Sequence, residues 1–515
     1  MDTMEKKDSV KNSVGRGVFV ALSIILQAGW IISLVIWLND YYAYISLFTS
    51  LLALVVVFRI YGNHINAAYK MSWIILILLS PIFGLCLFLL CGHTGATAGM
   101  RKKFEAIDKA LEGTLPTGGE ALDALVSENP GLGNQARYIR DWGGYPLWQN
   151  TDVEFYATAE EGIEAQKAEL RRAEKFIFME YHAIEDSTSF RAVEDILAQK
   201  AAQGVEVRVF YDDMGSLGFI TSAFAKRLRS KGIQCQIFNP LLPFLNIFMN
   251  NRDHRKITVI DGRVGFTGGY NLADEYFNLT HPYGHWKDTG LKLTGDAVPS
   301  LTVLFLEMWN AMKRSDESFE RYLPHIPYTA QEAGAFVQPY GDSPLDQEYM
   351  GENVYLNIIK NAKRYVYITT PYLIIDDEMQ RELTLCAQRG VDVRIITPGI
   401  PDKKLVFKIT RSYYAGLAQK GVRIYEYTPG FTHSKQFVAD DEVAVVGTIN
   451  LDYRSLYLHF ENACMLYRCK AVDGVKKDFD DTFPLCAEVT QQYAGKRSVA
   501  LRGMQGVLRL FAPLM

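Results

Sequence analysis

The motif HxKxxxxD occurs twice in this chain of 515 residues, and each copy is followed at the same spacing by GxxN. The first copy reads DHRKITVID and leads into GGYN, whereas the second reads THSKQFVAD and leads into GTIN. The residues that define the two copies are His254, Lys256, Asp261 and Asn271, and His433, Lys435, Asp440 and Asn450. A shared companion at a shared offset is much rarer by chance than either motif alone. The pairing therefore predicts one active site built from two halves.

Each motif also predicts a β-hairpin. Histidine and lysine lie two residues apart, so both side chains project from the same face of a strand. The apolar runs ITVI and QFVA have the composition of buried strands, and each ends in a turn signal, DG or DD, before a second apolar run. Imidazole, ammonium and amide groups that converge on such hairpins suit a phosphate. Asn271 and Asn450 are therefore predicted to bind phosphate beside the histidines and lysines.

The similarity between the two halves extends well beyond the motifs. KFIFMEYH is echoed by RYVYITTPY, AAQGVEVRVFYD by AQRGVDVRIITP, and RSKGIQCQIFNP by AQKGVRIYEYTP, always in the same order. This arrangement is typical of a duplicated domain and not of a short solenoid repeat. Apolar strands alternate with amphipathic helices that end near Gly204 and Gly390, which predicts the α/β class. We expect two homologous lobes, residues 149–325 and 335–515, that share one active site.

The first hundred residues have a different composition. Uncharged apolar runs cover residues 18–38, 41–58 and 71–91, each about long enough to cross a bilayer core of roughly 30 Å. Residues 1–100 are therefore predicted to form N-terminal transmembrane helices, two or three in number, that anchor the chain in a membrane. Residues 101–148 are predicted to be a connector.

The topology of this anchor is open. Basic residues before the first run, between the second and third runs and after the third run all favour the cytoplasm. Three spanning helices cannot satisfy that pattern. Either the third run, with Pro81 and Gly84 near its centre, is kinked or re-entrant, or the second run is incomplete. The side of the membrane that carries the catalytic region is not decided by the sequence.

Two further segments are apolar but too short to span a bilayer. One is NPLLPFLNIFMNN, residues 239–251, which precedes the first motif, and the other is the amphipathic tail VALRGMQGVLRLFAPLM. Each segment either packs against its own lobe or dips into lipid.

Composition excludes several other kinds of site. A formal net charge of −4 gives no general reason to expect a nucleic-acid partner. The seven cysteines include no CxxC pair, so neither a disulfide framework nor a zinc site is indicated. A glycine-rich phosphate loop of the GxxxxGKS kind is also missing. We predict no metal and no cofactor.

The paired motifs with their GxxN companions resemble the phospholipase D superfamily, and the anchored two-lobe layout is similar to its bacterial cardiolipin synthase family. TTPYLIIDDEM and VGTINLDYRSLYLHFE carry the more specific resemblance. The resemblance implies a multi-pass phosphatidyltransferase of the bacterial cell membrane. It would move a phosphatidyl group from one phosphatidylglycerol to another, giving cardiolipin and glycerol. A hydrolytic phospholipase D, or transfer to another alcohol, would use the same residues and stays open.

The chemistry of such a transfer defines roles for the motif residues. Attack on an anionic phosphodiester needs a nucleophile, an acid for the leaving alkoxide and cations around the phosphoryl oxygens. One imidazole attacks phosphorus to form a phosphohistidine, while the other protonates the leaving group and then activates the incoming hydroxyl. Following the family's usual arrangement, we expect His254 to be the nucleophile and His433 the acid and base. Lys256 and Lys435 would neutralise the phosphoryl oxygens.

The resemblance also matches Asp288 in HWKDTG and Glu461 in HFENA to the carboxylates that orient the imidazoles. Such a partner on the second ring nitrogen fixes the tautomer of a histidine. Asp261 and Asp440 belong to the catalytic motif, but we expect them to act by holding the hairpin turns.

Overall fold

The computed structural model describes residues 18, 21–23, 25–30, 32–33, 42–63, 66–92, 98–116, 118–221, 223–240, 250–346, 348–495 and 499–512. The first predicted apolar run is thus described only in fragments. Most of the apolar segment 239–251 lies outside the described residues.

Both lobes are built on mixed β-sheets. The strands of the first lobe are β1 (Thr151–Tyr156), β2 (Phe176–Tyr181), β3 (Glu206–Asp212), β4 (Gln234–Phe238), β5 (Arg252–Asp253), β6 (Lys256–Ile260), β7 (Val264–Gly268), β8 (His285–Lys287) and β9 (Gly290–Gly295). Those of the second lobe are β10 (Phe336–Asp342), β11 (Tyr365–Thr369), β12 (Asp392–Pro398), β13 (Arg423–Tyr427), β14 (Gly430–Thr432), β15 (Gln436–Ala439), β16 (Val443–Gly447), β17 (His459–Tyr467) and β18 (Cys486–Glu488).

The strand orders repeat between the lobes, which confirms the predicted duplication and the α/β class. The first sheet runs β1-β9-β7-β6-β2-β3-β4, and the second runs β10-β17-β16-β15-β11-β12-β13-β18. In each sheet the motif strand, β6 or β15, is antiparallel to both of its neighbours. The three following strands, β2-β3-β4 or β11-β12-β13, are parallel.

Helices cover both sheets. They are α1 (Tyr42–Gly62), α2 (Ala67–Leu79), α3 (Pro81–Cys91), α4 (Ala98–Leu111), α5 (Glu120–Glu128), α6 (Pro130–Gly143), α7 (Ala159–Arg172), α8 (Thr188–Ala202), α9 (Phe224–Ser230), α10 (Val298–Met312), α11 (Met350–Asn361), α12 (Asp377–Gln388), α13 (Lys404–Ala418), α14 (Tyr453–Tyr457), α15 (Lys470–Thr482), α16 (Thr490–Ala494) and α17 (Val499–Phe511). One core joins α7, α8 and α9 to the first sheet, and another joins α5, α6, α11, α12 and α13 to the second. A third core fills the space between the sheets with α4, α10 and α15.

The predicted hairpins are present at both motifs. β6 pairs with β7 and β15 with β16, each across a short turn whose first two residues have positive φ angles. The turn residues are Asp261 and Gly262 (φ 55° and 68°), and Asp440 and Asp441 (φ 58° and 60°). Aspartate and glycine are among the residues that adopt this left-handed conformation most readily.

The two turn aspartates clamp the start of the neighbouring strand. Each carboxylate accepts three backbone hydrogen bonds of 2.7 to 3.0 Å. The donors are the N–H groups of Glu174, Lys175 and Phe176 for Asp261, and of Lys363, Arg364 and Tyr365 for Asp440. These contacts tie each motif hairpin to β2 or β11, at the end of the hairpin away from the histidine.

Short parallel strands join the two lobes. β5 of the first lobe pairs with the start of β17, so that Arg252 lies opposite His459 and Asp253 opposite Phe460. β8 of the first lobe pairs with β14 of the second, and its last pair joins Thr432 to Lys287.

The structure shows part of the predicted anchor of two or three spanning helices. Among the described residues, one helix is long and apolar enough to cross a membrane, over Tyr44–Gly62 with a mean hydropathy of 2.0. The third apolar run is not a single helix, because it breaks at Ser80 between α2 and α3. Pro81 lacks the N–H that would continue α2, and it begins α3 instead. A side chain on Gly84 would lie 2.6 Å from the Ile77 Cα, so the glycine lets the two short helices pack closely.

The predicted connector is itself folded. Phe104 of α4 stacks on Phe460 with ring centroids 4.9 Å apart, and Ile139 of α6 is buried in the second-lobe core. Trp148 exchanges backbone hydrogen bonds with Val337 at the edge of the second sheet. These helices therefore contribute to the core of the second lobe and to the core between the sheets.

The aspartate clamps predict a loss of stability when the Asp440 carboxylate is removed. Asp440→Ala leaves three backbone N–H groups without their acceptor, which costs about 2–4 kcal/mol of unfolding free energy. Thermal unfolding of the detergent-solubilised protein measures this loss. Asp480→Ala is the matched control, because Asp480 forms an exposed ion pair with Lys476, worth about 0.5 kcal/mol. Equal midpoints for the two variants would contradict the clamp.

Candidate active site

Each motif histidine pairs with a carboxylate from the opposite lobe. The Nδ1 atom of His254 lies 2.8 and 2.9 Å from the two carboxylate oxygens of Glu461. The Nδ1 atom of His433 lies 2.7 Å from Oδ2 of Asp288. All four side chains are buried. The site is therefore made of two histidine–carboxylate pairs, and neither lobe alone contains a complete pair.

The strands between the lobes produce this exchange. His254 directly follows β5, and its N–H donates to the carbonyl oxygen of Phe460 (2.8 Å), the residue before Glu461. His433 directly follows β14, and its N–H donates to the carbonyl oxygen of Lys287 (2.7 Å), the residue before Asp288. The register of each parallel pair thus sets a histidine opposite a carboxylate. Sequence order alone suggests that each carboxylate orients the histidine that precedes it, Asp288 for His254 and Glu461 for His433. The structure corrects this pairing, because each carboxylate contacts the histidine of the opposite lobe.

Both motif lysines are buried beside the histidines. The Lys256 ammonium donates to the carbonyl oxygen of His254 (2.7 Å), and that of Lys435 donates to the carbonyl oxygen of His433. Burial, partly opposed by the nearby carboxylates, lowers the pKa of Lys256 to about 8 and that of Lys435 to about 7. Removing cations from water favours their neutral form. An anion bound between the lysines would restore their charge.

Burial and the two lysine charges also lower the pKa of His254 and of His433 well below the usual range. Both imidazoles are therefore neutral near pH 7. Asp288 stays largely ionised, although burial raises the pKa of its carboxyl to about 6. A proton on Nδ1 of each histidine satisfies the facing carboxylate and leaves the Nε2 lone pair for chemistry.

The GxxN residues differ between the lobes. Asn271 accepts a hydrogen bond from the Ala183 N–H (3.1 Å) and donates to the Tyr276 hydroxyl (2.8 Å), so its amide is already engaged within the protein. In Asn450, the buried Oδ1 atom has no hydrogen-bond partner among the described residues. Direct phosphate binding by either amide stays a prediction, and for Asn271 it would use the second N–H of the amide, which the bond to Tyr276 does not occupy.

The difference between GGYN and GTIN has a structural reason. A side chain at Gly269 would lie 2.0 Å from Oδ1 of Asp288, so glycine leaves room for that carboxylate. The equivalent Thr448 instead donates its hydroxyl proton to Oε2 of Glu461 (2.5 Å). The two carboxylates are therefore held by different contacts.

Sequence reasoning missed the residues that surround the imidazole rings of His254 and His433. The imidazoles of His182 and His459 flank His254, with ring centroids 4.9 and 5.7 Å away. Aromatic rings surround His433 instead, at centroid distances of 5.3 Å for Tyr276, 5.3 Å for Trp286 and 5.9 Å for Phe431. Trp286, Phe431 and His459 each lie two positions before a site residue that is near the start of a strand or just after one, and this spacing is the signal that could have found them.

A potential metal-ligand group overlaps the first pair. Donor atoms of His254, His459 and Glu461 lie within 4.8 Å of one another. In the part of the chain that the structure describes, these three residues form the group that could hold a metal ion. The short contact between His254 and Glu461 is an ordinary N–H to carboxylate hydrogen bond. This hydrogen bond accounts for the closeness of His254 and Glu461, and it suits Glu461 for orienting the His254 ring.

Comparisons with known proteins agree with this architecture. The domain family described as "Cardiolipin synthase, PLD-like domain" matches residues 167–286 and 355–483, and the family described as "Phospholipase_D-nuclease N-terminal" matches residues 50–93. A Streptococcus mutans relative, described as an uncharacterized protein, is 43% identical over 86% of this chain and 96% of its own length. A cardiolipin synthase of Staphylococcus aureus is 34% identical over 86% of this chain and 91% of its own length.

A solved structure shows the same fold. The crystal structure of the phosphatidylserine synthase of Haemophilus influenzae Rd KW20 covers 74% of this chain and 99% of its own, with a TM-score of 0.56 and 14% identity. That similarity concerns the fold, whereas the relatives in sequence identify the family. With its two phospholipase D-like lobes, this chain belongs to the cardiolipin synthase family.

Proposed function

We propose that the protein transfers a phosphatidyl group between two phosphatidylglycerol molecules and so makes cardiolipin and glycerol. One observation carries the proposal: two buried histidine–carboxylate pairs, with a lysine beside each histidine, lie at the junction of the lobes. This arrangement supplies a nucleophile, an acid and cations for an anionic phosphodiester. Relatives named cardiolipin synthase, matched over most of their length, support the choice of substrates.

In the first half of the reaction, Nε2 of His254 attacks the phosphorus of the donor lipid. The P–O bond to the glycerol headgroup breaks, and His433 gives a proton to the departing oxygen. His433 is neutral in the free enzyme, but the negative charge of the bound phosphodiester opposes its lowered pKa and favours its protonation. Lys256 and Lys435 stabilise the phosphoryl oxygens as charge develops.

In the second half, neutral His433 accepts the proton of an incoming hydroxyl. The hydroxyl oxygen attacks phosphorus, the P–N bond to His254 breaks, and the product leaves. Asp288 and Glu461 hold the two imidazoles in the tautomer that exposes Nε2 throughout.

The contacts at Nδ1 support His254 as the nucleophile. This atom faces both oxygens of Glu461, a carboxylate that also accepts a hydrogen bond from the Thr448 hydroxyl. In His433, Nδ1 lies 2.7 Å from Asp288 but also 2.8 Å from the Lys435 ammonium. A carboxylate at Nδ1 stabilises the cationic phosphohistidine, whereas an ammonium in direct contact with Nδ1 opposes it. Lysine charges act on both histidines, but the direct ammonium contact at Nδ1 is that of His433, so we assign the covalent intermediate to His254.

The reaction itself is tested with lipid products. Purified protein incubated with phosphatidylglycerol should give cardiolipin and free glycerol in equal amounts, measured by mass spectrometry and an enzymatic glycerol assay. Phosphatidic acid as the sole lipid product would show a hydrolytic phospholipase D, which uses the same residues with water as the acceptor. His254→Gln is the matched inactive control.

The nucleophile is tested with a donor lipid that needs no acid. In phosphatidyl-p-nitrophenol, the leaving group departs without a proton, so His433→Asn should still release nitrophenolate in a burst. Transfer of the phosphatidyl group from the histidine to an acceptor needs the base, and this step should slow at least 100-fold. The burst state is quenched in denaturant at mildly alkaline pH, because the P–N bond of a phosphohistidine breaks in acid, and mass spectrometry should place the phosphatidyl group on the peptide that contains His254. A burst from His254→Asn, with the label on His433, would reverse the two roles.

We also propose that the N-terminal region crosses the membrane twice, through α1 and the first apolar run, and that α2 and α3 form a re-entrant pair. The start of α2 contacts the second lobe, where the Asn66 amide donates to Asp376 and to the Tyr457 hydroxyl, each at 2.9 Å. The chain that follows α3 enters α4, which packs between the two sheets. Both ends of the α2–α3 pair therefore lie on the side of the lobes.

This arrangement also suits the basic residues on both sides of the α2–α3 pair, which favour the cytoplasm for the lobes. The C-terminal helix α17 adds a contact with the bilayer. The carbonyl oxygen of Leu510 in α17 accepts a hydrogen bond from the Ser72 hydroxyl of α2 (2.6 Å). The Arg509 guanidinium of α17 donates to the Ser412 hydroxyl of the second lobe. Met504 and Val507, in contrast, are exposed. A helix that turns arginine inward and apolar side chains outward fits a lipid surface.

Cysteine labelling tests the side of the membrane. In a variant without native cysteines, a membrane-impermeant maleimide should label Asn39→Cys in intact cells and Thr94→Cys only in inverted vesicles. A third spanning helix over residues 71–91 would place Thr94 outside, where intact cells would show its label.

A further inference from the structure

We propose that Lys403 binds the phosphodiester of the acceptor lipid and so favours an anionic glycerophospholipid over a neutral alcohol as the acceptor. The inference rests on the proposed phosphatidyl transfer, and it names the residue that selects the second substrate.

The position of Lys403 puts it on the acceptor side of the site. It directly precedes α13, and its ammonium lies 5.1 Å from the ring centroid of Tyr372 and 3.4 Å from the hydroxyl of that tyrosine. The Tyr372 ring packs on Phe431 (6.4 Å between centroids), and Phe431 packs on His433 (5.9 Å). Lys403 therefore lies two rings outward from the histidine that receives the acceptor's proton.

The charge of Lys403 acts on both catalytic histidines. It contributes to the lowered pKa of His254 and of His433, along with the motif lysines. Unlike Lys256 and Lys435, however, Lys403 is largely exposed, with 64% of its side chain accessible to solvent. Lys403 is thus a cation at the mouth of the site, within electrostatic reach of the reacting centre.

The groups around Lys403 leave it able to bind an anion. Its ammonium is 3.8 Å from Asp402, a long ion pair, and the same Asp402 oxygen accepts a 2.5 Å hydrogen bond from the Tyr372 hydroxyl. Glu275 lies in the same acidic surroundings, and burial together with neighbouring carboxylates raises its pKa to about 7, so that it is largely uncharged in mildly acidic solution. An ammonium has three N–H donors, and the contact with Tyr372 uses one.

The chemistry of the second half-reaction explains why a cation is needed there. His433 deprotonates the attacking hydroxyl, so that hydroxyl must lie beside His433. In phosphatidylglycerol, the attacking oxygen and the lipid's own phosphate are separated by the three carbons of the headgroup. The phosphorus that this oxygen attacks is bound to His254, so in our proposal the second phosphate lies on the other side of the oxygen, outward from His433 and towards Lys403. A cation at the mouth offsets the repulsion between the two phosphates.

A partition experiment isolates this step. The phosphatidyl-enzyme is allowed to react with phosphatidylglycerol and deuterated glycerol in the same mixture, giving cardiolipin or labelled phosphatidylglycerol. Both products arise from one intermediate, so their ratio depends on the acceptor and not on the donor step or on the amount of folded protein. Lys403→Gln should lower the ratio of cardiolipin to labelled phosphatidylglycerol about tenfold, the size expected for a lost charge-assisted contact.

Lys403→Arg and Lys404→Gln are the matched controls. Arginine keeps the charge and should keep the ratio within about twofold of the wild-type value. Lys404 is an exposed neighbour of the same charge, and its substitution should leave the ratio at the wild-type value, since the contact with Tyr372 is made by Lys403. An unchanged ratio in Lys403→Gln, or an equal fall in Lys404→Gln, overturns the assignment. If the wild-type enzyme makes neither cardiolipin nor labelled phosphatidylglycerol, the proposed transfer itself fails, and the inference fails with it.

Discussion

The active site depends on the register of two very short strand pairs between the lobes. β5 with β17 and β8 with β14 are parallel ladders of two and three residue pairs, and each ends where a catalytic residue begins. A slip of one residue would bring His254 opposite Phe460 or Asn462. Because adjacent residues of a strand point to opposite faces, the Glu461 carboxylate would then no longer face the imidazole. The core shared by the two sheets, with α4, α10 and α15 between them, fixes the lobes in the register that the chemistry needs.

The charges inside this junction are balanced before substrate arrives. Two lysines and two carboxylates are buried together, so the cost of removing each from water is partly offset by the others. The balance is imperfect, since both lysines have a lowered pKa and Asp288 a raised one. A bound phosphodiester supplies the negative charge that the lysines lack. Burial thus has two effects: it makes the lysine charges unfavourable in the absence of an anion, and it strengthens their attraction to an anion that binds beside them.

Local signals in the sequence were sufficient for the hairpins, the duplicated lobes and the structural part of Asp261 and Asp440, because turn residues and alternating strands act over a few positions. The exchange of Asp288 and Glu461 between lobes was beyond such signals, since it depends on which strand edges meet after the lobes pack. His182 was missed for a related reason: it directly follows β2, and its contact with His254 exists only once β2 and β6 are paired. The break before Pro81 was among the alternatives that the sequence raised, and packing around Gly84 made it a helix pair.

The difference between Gly269 and Thr448 has an evolutionary consequence. If two identical lobes met around a twofold axis, each pair of histidine and carboxylate would be a copy of the other, and any substitution would change both. A single chain with both lobes is free of that symmetry. One half holds an aspartate in space left by a glycine, and the other holds a glutamate through a threonine hydroxyl. Fusion thus permits the division of labour proposed here, in which His254 would specialise in bond formation and His433 in moving protons.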